Sequence, residues 1–297
     1  MDYFLALGTT GVIMGIIYAL MALGLTLIFS ILRVINFAHG EFYMMGGYAS
    51  YLILSVFAGL HPLLAVPLAG LLAGLVGLAF EVVFLRPMHQ ERIERPDEYA
   101  ILITFGLSFF LMNLALAVIG PYPHRPPSFF PGTVDLGFVM VSADRLTASV
   151  LALVLLVVLL LLIDRTWIGK ALRAVSQDKH AAAVVGINPL RMNSIAFALG
   201  AGLAAVSGAL LAPSFSVTPD VGAVPSIRSY VIIVLGGMGS IPGSILGGII
   251  IGLVESLGAG YFPDPSRGLT YKTAFGLVIF ALVLLFRPTG LFGREEE

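Results

Sequence analysis

The feature that most limits what this chain can fold into is a series of long stretches with no charge at all. Tyr3 to Leu32 contains no Asp, Glu, Lys or Arg, and the same holds for Phe42 to Phe80, Tyr99 to His124, Leu146 to Ile163, Met192 to Pro219 and Ser229 to Val254. A membrane-crossing helix needs roughly 20 mostly apolar residues. Most of these stretches reach that length, and Phe42 to Phe80 is long enough for two crossings. Only 11% of the 297 residues are charged, against about 25% in soluble domains. A bilayer removes the need to cover such a surface with polar groups. The sequence therefore predicts an all-α polytopic transmembrane bundle of 8 to 9 spans, some of them discontinuous, forming one domain over residues 1–297. The expected spans are 9–31, 41–59, 63–85, 99–120, 147–163, 193–213, 229–240, 242–260 and 271–286.

A net charge of −1 and the lack of a basic stripe give no sign of nucleic acid binding. Cysteine is absent, so disulfides and thiolate metal sites are excluded, and no metal site is expected. Asp2 precedes the first apolar run and no Lys or Arg forms an n-region. The run also outlasts a secretory h-region, so it reads as a retained span.

Lys and Arg gather on the cytoplasmic side of membrane proteins. Loop 86–95 carries Arg86, Arg92 and Arg95. Segment 164–192 carries Arg165, Lys170, Arg173, Lys179 and Arg191, and the tail carries Arg287 and Arg294. These three regions are expected in the cytoplasm. Loop 121–146, with only Arg125 and Arg145, is expected outside, as is the N-terminus. Pro121, Pro123, Pro126 and Pro127 stiffen that outer loop, which suits either an outer mouth that meets a partner or a lipid-interface loop. Glycine pairs four residues apart, such as Gly11 with Gly15 and Gly248 with Gly252, predict helices that approach closely in lipid.

Segment 164–192 is patterned beyond a connector. Leu172, Val175, Ala182 and Val185 recur at helical spacing, with Lys170, Arg173, Gln177 and Asp178 on the polar side. Ala181, Ala182 and Ala183 give a smooth surface. Gly186 reads as a helix stop, Asn188 as an N-cap, and Pro189 as the first residue of the next helix. Periodicity alone fits a helix seated in a partner's groove or one lying on headgroups.

The run G-K-A-L-R-A-V-S-Q-D-x-x-A-A-x-x-x-G-I-N at 169–188 resembles the cytoplasmic coupling segment of the LivH/LivM-type permeases of branched-chain amino acid ABC importers. Further resemblance lies in G-L-T-L-I-F (24–29), I-N-F-A-H-G-E-F-Y-M-M-G-G-Y (35–48), V-I-I-V-L-G-G-M-G-S-I-P-G-S-I-L-G-G (231–248) and L-L-F-R-P-T-G-L-F-G (284–293). The short length is closer to the LivH-like member. The resemblance implies a permease subunit that moves branched-chain or related amino acids by alternating access. Its partners would be a second permease subunit (homo- or heterodimeric), two ATPase subunits that bind the ATP, and a periplasmic or lipid-anchored binding protein. The location implied is a bacterial or archaeal cytoplasmic (inner) membrane. It also implies a coupling role for Lys170, Arg173, Gln177, Asp178, Ala181, Ala182 and Gly186. No cofactor is expected in this chain, which lacks the phosphate-cradling G-x-x-x-x-G-K-[ST] pattern. Permeases of the same family that carry urea or short amides are an alternative, and a stand-alone channel or secondary transporter is a more distant one.

Two places are candidates for the translocation path. Asn36, His39, Gly40 and Glu41 lie between apolar runs, either at a helix break lining the path or in a cytoplasmic turn. Polar groups at membrane depth cost roughly 3 kcal/mol for a central charge. Gly236, Gly237, Gly239 and Ser240 mark a second break, either a half-helix terminus or a tight hairpin. Ser240 lacks the G-x-S-G order and an assigned base, so no catalytic residue and no enzyme activity are expected. Glu81 and Arg86 are expected near a cytoplasmic end, with Arg86 snorkelling. Glu255 lies near the outer end of a span, where it either faces the cavity or does not.

Overall fold

The computed structural model describes residues 2–90 and 93–293; Arg92 and Arg294, used above for orientation, lie outside them. The chain is almost entirely helical. Helix α1 spans Asp2–Leu32, α2 His39–Val56, α3 Pro62–Phe80, α4 Pro96–Val118 and α5 Ala143–Arg165. Two short helices follow, α6 (Trp167–Gln177) and α7 (Lys179–Val184). Then come α8 (Pro189–Leu211), α9 (Ala223–Gly236), α10 (Ile241–Tyr261), α11 (Pro265–Thr270) and α12 (Lys272–Phe286). The described strands, Thr133–Asp135 and Met140–Ser142, pair antiparallel in the loop before α5.

Among the described residues six helices, fewer than the 8 to 9 spans expected, are long and apolar enough to cross a membrane: α1, α3 with its π-helical extension to Leu85, α4, α5, α8 and α10. Three more expected spans exist as helices of another kind. Helices α9 and α12 have 14 and 15 residues. Helix α2 has 18 and is interrupted in composition by His39, Glu41 and three tyrosines.

Burial sorts these helices into a centre and a rim. In the most apolar window of α1, 83% of residues are buried, against 17% in α4. Helix α1 is therefore the post around which α5, α8, α9 and α10 pack. The side chains of Leu102, Phe110 and Leu116 on α4 stand exposed, as expected for a lipid-facing surface. Lipid tails are as apolar as leucine, so helices associate in a bilayer through close packing and hydrogen bonds. The α1–α10 seam does this with small residues. A Cβ on Gly248 would lie 2.6 Å from the backbone N of Ala19. Further along, Thr26 Oγ1 and Ser244 Oγ, both fully buried, are 2.6 Å apart.

The two ends of the bundle are distinct. One, the basic end, holds the end of α1, the π turn Glu81–Leu85, α6 and α7; Leu32 packs in one apolar cluster with Leu85, Leu172 and Val175. The other, the proline-rich end, holds loop 119–142. There His124 bridges Val217, and Arg125 Nε donates to Pro213 O at 2.6 Å. His61 and Phe130 rings meet at 5.7 Å at that same end.

Candidate functional site

Helix α1 stops at the basic end, where Arg33 adopts a left-handed φ of 59°. The chain does not turn over there. Residues 33–38 run back alongside α1 as non-helical backbone. The His39 ring nitrogen Nε2 then lies 3.0 Å from Met21 O. Met21 precedes the end of α1 by eleven residues, so the start of α2 sits roughly 16 Å up the helix axis at 1.5 Å per residue. Its depth along α4 agrees: Thr104 Oγ1 donates to Ile35 O at 3.4 Å, and Glu41 lies beside Ser108, close to the middle of α4. Helix α2 therefore begins at mid-depth and runs to the proline-rich end.

Helix α9 mirrors this. The chain enters from the proline-rich end and becomes helical only after Gly222, so that α9 runs from mid-depth to the basic end. The two starts touch. Any Cβ on Gly40 would collide with Gly222 O, and one on Gly222 would collide with Gly40 O. Glycine at both positions is what allows the backbones to meet. Tyr230, two turns into α9, donates its hydroxyl to Asn36 O at 2.6 Å. The Tyr230 and Phe37 rings lie 6.0 Å apart.

Polar groups crowd this junction. Asn36 and His39 are fully buried. Asn36 Oδ1 accepts from Ala38 N at 3.1 Å, but Asn36 Nδ2, His39 Nδ1 and Glu41 Oε2 are buried without a hydrogen-bond partner. Neither α2 nor α9 has a side-chain N-cap. The first-turn Glu41 carboxylate, which accepts from its own backbone N–H, answers the positive end of α2, whereas α9 has no acidic residue in its first turn and keeps the positive end of its dipole unanswered by a side chain. Backbone of this irregular kind is tolerated at membrane depth where protein buries it or it lines a cavity.

The structure does not bring the second predicted group to this junction. Gly236, Gly237, Gly239 and Ser240 form the tight turn between α9 and α10 at the basic end, with Gly237 and Gly239 at positive φ. Ser240 caps α10 by accepting from Gly243 N at 3.2 Å. The tail closes over the turn: Leu291 N donates to Leu235 O at 2.9 Å and Phe292 N to Gly236 O at 3.0 Å.

At the basic end the single amphipathic helix expected over 170–186 is two helices with a break at Asp178. Asp178 ends α6 and caps α7, accepting from His180 N at 2.8 Å and Ala181 N at 3.0 Å. These bonds hold its carboxyl below the usual carboxylate range. Leu172, Val175 and Ala182 are buried as the periodicity predicts. Val185 is 73% exposed, because the rotation at Asp178 carries it off the apolar stripe. Lys170, Arg173, Gln177, Ala181 and Gly186 are exposed, and Arg173 pairs with Asp164 at 3.1 Å. Gly186 takes a φ of 87° and closes α7 with paired bonds, Gly186 N to Ala183 O and Ile187 N to Ala182 O, both 3.0 Å, the Schellman arrangement. Asn188 then caps α8 by accepting from Arg191 N at 3.2 Å. Burial lowers the His89 imidazole and the Lys179 amine from their usual values, and Lys179 adds to the effect at His89.

In two further clusters the sequence marks the carboxylate, Glu255 or Glu81, but not its partners. Glu255 is 1% exposed and pairs with Arg228 Nε at 2.8 Å and Lys272 Nζ at 3.9 Å. Arg228 also stacks over the Tyr18 ring at 4.9 Å and donates to Thr273 Oγ1 at 3.2 Å. A lone arginine eight residues before Gly236 was the available signal. Starting the seventh span at 229 left Arg228 outside it. Glu81, expected in a bland position near an end, is fully buried in the π turn and accepts from Ser194 Oγ of α8.

Comparison with known proteins gives a consistent result. Residues 8–287 match the family model described as branched-chain amino acid transport system / permease component. The chain is 35% identical to the high-affinity branched-chain amino acid transport system permease protein BraD of Pseudomonas aeruginosa, over 96% of this chain and 94% of that one. It is 32% identical to the LivH permease protein of that transport system in Escherichia coli K12, covering 99% and 97%. The LivM permease protein of the same organism is 27% identical, covering 93% and 67%. No solved structure matches the chain at a significant level.

Proposed function

The chain belongs to the family of permease components of branched-chain amino acid transport systems, and from that premise we propose that it is the membrane-spanning permease subunit of an ABC importer for such amino acids. The observation that carries this reading is similarity to BraD and LivH over almost the whole of each chain. The basic end faces the cytoplasm, following the distribution of Lys and Arg, and the membrane is the cytoplasmic (inner) membrane of a bacterium or archaeon. Nine traverses result. Seven are helical throughout, and two, 33–56 and 212–236, combine an extended segment with a half-helix. The N-terminus is then outside and the C-terminus inside.

The partners are a second permease subunit, two ATPase subunits and a substrate-binding protein. Escherichia coli holds relatives of this chain in both LivH and LivM, which supports a heterodimeric pair. The ATPases grip the α6–α7 segment through Lys170, Arg173, Gln177, Asp178, Ala181, Ala182 and Gly186. Its outer surface offers Trp167, Val184 and Val185, exposed by 67%, 87% and 73%, and apolar patches of this kind suit a protein partner. Nucleotide-driven movement of this segment reaches α8 through the Gly186–Asn188 turn and reaches α3 through the Ser194–Glu81 bond. Substrate passes the junction of Asn36, His39, Gly40 and Glu41 with Gly222. The turn at Gly236, Gly237, Gly239 and Ser240 borders the inner mouth.

Co-purification with candidate ATPases tests this reading. Val184→Glu together with Val185→Glu removes ATPase binding and leaves the permease folded. ATPase subunits retained at the wild-type level, with solute movement independent of ATP, would favour a stand-alone channel or carrier.

A further inference from the structure

We propose that the meeting point of α2 and α9 is a binding station for a zwitterionic α-amino acid, in which Glu41 takes the ammonium group and the start of α9, with Asn36, takes the carboxylate. The inference rests on the permease reading above and adds the substrate's charge pattern and the residue that reads it.

The buried Glu255 and the half-buried Glu41 differ in one respect. Glu255 is satisfied within the chain by Arg228 and Lys272. Glu41 sits between α2, α4 and α9, beside Ser108 and Tyr230, and no basic side chain pairs with it among the described residues. Its Oε2 atom is buried and unpartnered. An ammonium group supplies both the counter-charge and the missing donors, since a carboxylate is acceptor-only.

Opposite charge is offered a short distance away. The α2 and α9 starts converge at Gly40 and Gly222; Glu41 answers the first, while α9 has neither a side-chain cap nor an acidic residue in its first turn. Half-helix N-termini of this kind favour an anionic substrate group. The fully buried Asn36 adds an unpartnered Nδ2 donor at the same place. Beside these groups Phe37 meets Phe105 at 6.2 Å and Tyr230 at 6.0 Å between ring centroids, an apolar shelf for an aliphatic side chain. Urea and short amides carry no net charge on any group, so they would leave Glu41 and the start of α9 unanswered.

The test measures leucine uptake and ATP hydrolysis together in proteoliposomes that hold the complete importer with saturating binding protein. Glu41→Gln is expected to lower uptake by about tenfold or more, the worth of one charged hydrogen bond. Stimulated ATP hydrolysis should stay within about twofold, so ATP used per leucine rises. Glu41→Asp should recover part of the uptake. Unchanged uptake in Glu41→Gln would overturn the inference. So would a parallel loss of uptake and hydrolysis, the mark of a purely structural role. A wild-type complex that neither imports leucine nor engages its ATPases would overturn the permease reading and this inference with it.

Discussion

The seam between α1 and α10 and the junction between α2 and α9 are both built on glycine, yet they end in opposite states. Along the seam every close approach is closed. Gly248 lies against Ala19, Thr26 meets Ser244, and Glu255 is held by Arg228, Lys272 and Tyr18. At the junction the backbones meet just as closely at Gly40 and Gly222, but Asn36, His39 and Glu41 each keep an unanswered polar atom. Satisfied polar networks rigidify a core, whereas buried groups left open are expensive and persist where they serve a ligand. The difference teaches that α1 and α10 form the fixed frame and that α2 and α9 carry the working site.

Perturbing the two regions should give opposite patterns. The largest effect is expected on the seam side. Arg228→Ala leaves Glu255 with Lys272 at 3.9 Å as its remaining ion pair and should destabilise the detergent-solubilised protein by about 3–5 kcal/mol. Joint replacement, Arg228→Met with Glu255→Met, should recover most of that. Next, Gly248→Val forces a side chain against Ala19 and should cost roughly 1–3 kcal/mol, read as a fall in thermal midpoint. At the junction, Glu41→Gln should change stability by less than about 1 kcal/mol, because glutamine keeps an oxygen to accept from Ser108 and no ion pair within the described residues is lost. A large stability loss there would erase the distinction. The smallest effect concerns His89, outside the spans, whose imidazole burial holds below its usual value. The unfolded chain takes up that proton below about pH 6.5 before the folded chain does. Stability should therefore be flat above that pH and decline beneath it. His89→Gln should flatten the decline, by roughly 2 °C in midpoint.

Much of the frame was legible in the sequence because its signals are local. Charge-free length marked the six helices long enough to cross a membrane, and Gly186, Asn188 and Pro189 marked the helix stop and restart where the structure has them. Composition also drew attention to the stretch from Asn36 to Glu41. It could not reveal that residues 33–38 climb back along α1. That path depends on long-range contacts, His39 with Met21 and Gly40 with Gly222, which leave no periodic trace. The same reason hid Gly222, Ser226 and Tyr230 as parts of the junction. The turn at 236–243 looked similar on paper to the break at 36–41. Only packing against the tail separates them. Asp178 was read as one polar residue of a single helix, although an Asp that caps its own successor also divides it.

The chain contains no cysteine, so a single engineered thiol is unique within this subunit, and the complex without it gives the background. Ser226 stands one turn inside α9, with its Cβ 2.9 Å from where a Cβ on Gly40 would lie. Ser226→Cys should react with a membrane-impermeant thiol reagent from one side of the membrane in the nucleotide-free complex. It should be shielded from that side when the ATPases are trapped with nucleotide, and leucine should slow the reaction. A thiol at 226 that stays unreactive from both sides in every state, while the complex still imports leucine, would contradict the account.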